Sequence, residues 1–67
     1  MQTKLLAELR QALEIMLSRI EAGEDILEQL EQIDALHQEL TPADPKMLEH
    51  YLERKSYTKA LALLKTL

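Results

Sequence analysis

Leu6, Leu9, Leu13, Met16 and Ile20 recur at alternating spacings of three and four, with Leu17 widening the stripe on one side and Leu5 and Ala12 on the other. That is the period of an amphipathic helix. It predicts a helix over residues 3–22, ended at Ala22-Gly23 because glycine tolerates the left-handed position that follows a helix. The phase also breaks there. Continued from Ile20, the heptad would place Gly23, Leu27, Leu30 and Asp34 on the seam, whereas Ile26, Ile33 and Leu40 keep a seven-residue spacing of their own.

A second helix is predicted over 25–41, with Asp25 as its cap and Glu28 reaching back in a capping box. Its apolar face is Ile26, Leu27, Leu30, Ile33, Leu36 and Leu40. So short a connection makes the first two helices an antiparallel hairpin. The stretch "TPADP" ends the second helix, since each proline removes an amide donor and disfavours helical geometry in the residue before it. Asp44-Pro45 then reads as cap and first residue of the next helix.

The remainder carries two stripes, Leu48, Tyr51, Leu52 and Tyr57, Ala60, Leu61, Leu64, Leu67. One continuous helix would set Lys55 in the middle of the stripe. Two short helices, 45–55 and 57–66, with a turn at Lys55-Ser56 and Ser56 as cap, are therefore expected; the alternative is one long, bent helix. The predicted fold is all-α: an antiparallel hairpin followed by two short helices, a small bundle and one domain of 67 residues.

Composition agrees with that reading and adds a constraint. The apolar residues are fifteen Leu, seven Ala, four Ile, three Met and two Tyr, with no Val, Phe, Trp or Cys. Leu, Ala and Met suit helices. At this length a single core supplies only about 3–5 kcal/mol, and without cysteine the extra stability has to come from good helix packing or from association. The absence of cysteine fits a reducing compartment. No apolar run reaches the roughly 18 residues of a membrane span and no secretory leader is evident, so the sequence-based expectation is a cytoplasmic protein without a membrane partner.

Leftover apolar positions point to association. With Leu13 set at zero, most apolar side chains of the first helix fall between about −100° and +40°, but Ile15 falls near −160°. The apolar arc of the second helix is about 180° wide, more than the roughly 100° that one neighbour requires, and Leu36 and Leu63 sit at the margins of their stripes. A homodimer completing the bundle is the expectation, with Ile15, Leu30, Ile33, Asp34, Leu36, His37 and Leu63 as interface candidates.

Asp34 and His37 are the chemically notable members of that set, an acid and a base three residues apart among leucines. The spacing predicts that they pair on one helix face beside an interface. A metal centre needs three or four converging ligands, and this pair does not reach that number; His50 is expected to face solvent. Cysteine nucleophiles and glycine-rich phosphate loops are absent, and Thr41, Ser56 and Thr58 have no histidine at a spacing that would activate them. Neither catalysis nor a cofactor is expected.

Charge is divided along the chain. Residues 1–44 carry a net −7, residues 45–67 a net +3. Glu24, Asp25, Glu28, Glu31 and Glu39 form an acidic surface, which keeps a small domain soluble and could meet a basic partner. "LEHYLERKSYTKALALLK" can be drawn as a helix-turn-helix, but its second helix offers Ala60, Leu61, Ala62, Leu63 and Leu64 with only Lys59 and Lys65 as bases, so nucleic-acid binding is not expected. Tyr51, Ala60 and Leu64 in the same stretch resemble the tetratricopeptide hairpin over about 20 residues. Leu48 stands where that pattern has a small residue and there is no second copy, so the likeness implies shared helical-hairpin packing only. The functional expectation is a non-enzymatic helical protein–protein interaction module, a homodimer; the alternative is a small acidic adaptor that occupies the basic site of a nucleic-acid-binding protein.

Overall fold

The computed structural model describes residues 3–41 and 45–66, and it is built from four helices: α1 (Thr3–Ala22), α2 (Leu27–Gln38), α3 (Lys46–Glu53) and α4 (Tyr57–Lys65). The described residues form no strand. The stripe of α1 fixes the architecture, because α1 packs against both α2 and α4 while α3 packs on α4. Leu5, Leu9, Ala12, Leu13 and Met16 of α1 meet Ile33 and Leu36 of α2, Leu48 and Leu52 of α3, and Ala60, Leu61 and Leu64 of α4 in one apolar cluster. A radius of gyration of 11.2 Å matches the roughly 11 Å of a compact chain of this length.

The α1–α2 reversal is a Schellman turn. Gly23 takes φ 75°, the Glu24 amide donates to the Arg19 carbonyl at 2.8 Å, and the Gly23 amide donates to that of Ile20 at 3.1 Å, which satisfies carbonyls that the helix end leaves open. α2 then begins at Leu27, two residues later than the pattern predicts. Ile26 precedes it with φ −120° and ψ 10°. Ile26, not Asp25, holds the cap position; the Asp25 carboxylate accepts the amide of Leu27, the first helical residue, at 3.1 Å from one position further out, and no capping-box bond from Glu28 accompanies it. α2 also stops earlier than expected, at Gln38, where the amides of Glu39 and Leu40 donate to the carbonyls of Leu36 and His37 in tighter three-residue turns.

Pro45 caps α3 instead of opening it. Its φ of −58° is paired with an extended ψ of 125°, and its carbonyl accepts the amides of Leu48 and Glu49; the expected cap Asp44 and the stripe residue Leu67 lie outside the described residues. The third and fourth helices are separate. Lys55 takes φ 60°, the Ser56 amide donates to the Tyr51 carbonyl at 2.8 Å, and the Lys55 amide donates to that of Leu52 at 3.1 Å. This is the same Schellman pattern as at Gly23. Ser56 holds the cap position of α4, but its side chain makes no capping bond; its carbonyl accepts the Ala60 amide instead.

Burial departs from periodicity at both sides of the first reversal. Ile20 belongs to the α1 stripe and Leu27 to the apolar face of α2, yet they are 50% and 59% exposed. Gln29 is buried in their place among the apolar positions, and its Oε1 has no hydrogen-bond partner. Both positions flank the turn, Ile20 in the last turn of α1 and Leu27 as the first residue of α2.

Candidate functional site

The expected interface residues separate into three groups. Ile33 and Leu36 are buried in the chain's own core and cannot serve as a free docking surface, because α2 uses them to pack on this bundle. Leu30 and Leu63 are half-buried against the same core. Ile15 is exposed on the outer side of α1, as its angle predicts.

Asp34 and His37 do not meet. They share neither a hydrogen bond nor an ion pair, and the ion pairs among the described residues are Arg10–Glu14 at 2.8 Å and Arg19–Glu24 at 3.8 Å. Asp34 is exposed and His37 half-buried. A spacing of three permits a contact on one helix face but does not compel it, and each side chain has a different neighbour from another helix. The charge of Asp34 reaches Tyr57 at the start of α4: the Tyr57 phenol is raised above its ordinary 10.0, first by burial and then by that carboxylate.

His37 faces α3 instead. Its imidazole comes together with the carboxylates of Glu49 and Glu53, the three potential ligand atoms all lying within 4.8 Å of one another. Glu49 and Glu53 are four apart and so share one side of α3. The Glu49/Glu53 spacing is visible in the sequence, but its approach to His37 depends on the path of the chain from 39 to 45. His50 is exposed, as expected, with its ring tilted at 54° to that of Tyr51, centroids 6.1 Å apart.

The second feature is the end of the α1–α2 hairpin. Here half-exposed Ile20 and Leu27 lie on either side of the turn, and Glu21, Glu24, Asp25, Glu28 and Glu31 are all exposed around it. Arg19 is the basic residue of this region, at 3.8 Å from Glu24. The result is an apolar pair in an acidic surround. No described helix is long and apolar enough to cross a membrane. Compared with known proteins, the chain matches no family model, no curated protein and no solved structure, so its functional reading rests on these two clusters.

Proposed function

We propose that the chain is a non-enzymatic helical protein–protein interaction module that binds through the end of its α1–α2 hairpin, with Ile20 and Leu27 as apolar anchors and the surrounding acids as a rim. The observation that carries this reading is the position of Ile20. By the helical step it lies about 20° from Leu13, at the centre of the buried stripe, yet half of it is open to water. A core-phase isoleucine left open at a helix end is suited to being covered by another molecule.

The rim favours one kind of partner. A second copy docked end to end would set Glu21, Glu24, Asp25, Glu28 and Glu31 against their own equivalents, and like charges face to face disfavour an interface. A protein with a basic surface around an apolar recess meets both features. The experiment is a pull-down and light-scattering comparison of the wild type, an Ile20→Ser/Leu27→Ser variant and a Glu24→Gln/Glu28→Gln/Glu31→Gln variant. Expected are loss of the captured partner in the first variant, salt-sensitive weakening in the second, and unchanged helical content in both. Wild-type self-association abolished by the serine variant would make a second copy the occupant; capture that survives the serine variant would sink the reading.

A further inference from the structure

We propose that His37, Glu49 and Glu53 form a binding site for a divalent first-row transition-metal ion that ties the end of α2 to α3. The three donor atoms lie within 4.8 Å of one another. A triangle of that size places an ion at its centre within about 1 Å of the 2.0–2.2 Å that zinc keeps to nitrogen and oxygen ligands. Small side-chain rotations cover that difference, since both glutamates are exposed and free to turn.

Three further observations favour an ion at this place. Two carboxylates four apart on one helix repel each other, and neither Glu49 nor Glu53 is ion-paired with a basic side chain among the described residues. A dication removes that repulsion: a neutral imidazole and two carboxylates carry two negative charges, which the ion balances. The ligands also come from separate helices. Substantial packing joins α1 to α2, α1 to α4 and α3 to α4, so the ion adds a polar tie between α2 and α3, whose apolar residues meet only within the shared core cluster.

The donor set selects the metal class. Calcium and magnesium take oxygen ligands, whereas an imidazole nitrogen with carboxylates suits zinc and its first-row neighbours. Three protein ligands leave a fourth position to water.

The test is calorimetric titration of the full chain with zinc chloride in a buffer that does not bind metal, with imidazole proton–nitrogen spectra recorded alongside. Expected are one zinc per chain, an upward shift of the melting temperature on binding, and zinc-dependent changes at the His37 ring that exceed those at His50. Glu49→Gln and Glu53→Gln, exposed positions at which the fold should survive, should each weaken zinc binding by about tenfold or more. His37→Asn should do the same, while Glu8→Gln on α1 leaves binding unchanged and magnesium does not compete. No saturable binding, binding indifferent to Glu49→Gln and Glu53→Gln, or equal weakening by Glu8→Gln would overturn the site; the last would mark general attraction to an acidic surface.

Discussion

Two reversals among the described residues use one hydrogen-bond pattern, with different residues at its centre. At Gly23 the left-handed conformation, φ 75°, costs little because glycine has no Cβ. At Lys55 the same turn, φ 60°, costs a residue with a side chain about 1–2 kcal/mol. The difference follows from what each hairpin buries. α3 and α4 have eight and nine residues, too short to be stable as isolated helices, and they place Leu48, Leu52, Ala60, Leu61 and Leu64 in the common core. Burial of those five residues outweighs the strain at Lys55. The first hairpin has a locally encoded turn and leaves Ile20 and Leu27 open beside it. One reversal has the residue that a left-handed position favours; the other holds a lysine there, against a local cost that packing outweighs.

Truncating a large side chain in each hairpin should have unequal effects. Leu48 is fully buried, and Leu48→Ala should cost about 2–5 kcal/mol through lost burial and the cavity left behind. Ile20→Ala should cost about 1 kcal/mol or less, because half of that side chain is already in water. Urea unfolding followed by circular dichroism measures both. Equal losses would mean that the hairpin end is as much a part of the core as α3.

Gln29 sharpens the view that the first hairpin carries features not optimised for the stability of this chain alone. Its buried Oε1 lacks a partner, and an unsatisfied buried acceptor costs about 1–3 kcal/mol. Gln29→Met keeps the shape and removes the acceptor. The variant should gain about 1 kcal/mol or more, a rise of roughly 4–8 °C in Tm for each kcal/mol in a chain of this size. An unchanged or lower Tm would show that the amide is satisfied in solution.

Exchanging the two turn residues tests the comparison itself. A Cβ built on Gly23 meets nothing within 4 Å, so Gly23→Ala should lower stability by about 1 kcal/mol through backbone strain alone. Lys55→Gly should raise it, by about 0.5–1 kcal/mol after the greater freedom glycine gives the unfolded chain is subtracted. If Lys55→Gly destabilises, the lysine side chain supports the turn and the second reversal is not strained.

The smallest effect is a dependence on pH at Tyr57. The folded pKa of Tyr57 lies above its ordinary 10.0, through burial first and the Asp34 charge second. A raised folded pKa gives stability that is fully present below the unfolded value and is lost as pH rises through the folded one. Between about pH 9 and 11 the wild type should therefore lose stability relative to Tyr57→Phe, and Asp34→Asn should reduce that loss. Parallel melting curves for wild type and Tyr57→Phe across this range would mean that the phenol is not raised in the folded chain.

The helical class, the run of α1, the Gly23 turn and most of the core were legible in the sequence, because helix propensity, apolar period and a glycine at a helix end act over a few residues. The sequence also marked the break at Lys55, since a lysine in the centre of an apolar stripe conflicts with one continuous helix. It misjudged the ends of α2, where Asp25, itself outside the helix, accepts the amide of the first helical residue, Leu27, because a capping residue and a turn residue look alike before the neighbouring turn is placed. The remaining features depend on how the helices pack. Periodicity assigns a side chain to a face but does not say how far the covering helix extends, so Ile20 and Leu27 emerged exposed and Ile33 and Leu36 buried. The pairing of Asp34 with His37 was the local inference; the bundle instead set Asp34 towards Tyr57 and His37 beside Glu49 and Glu53. Groups twelve or more residues apart in the chain meet only through the path of the backbone between them, and spacing along one helix carries no information about that path.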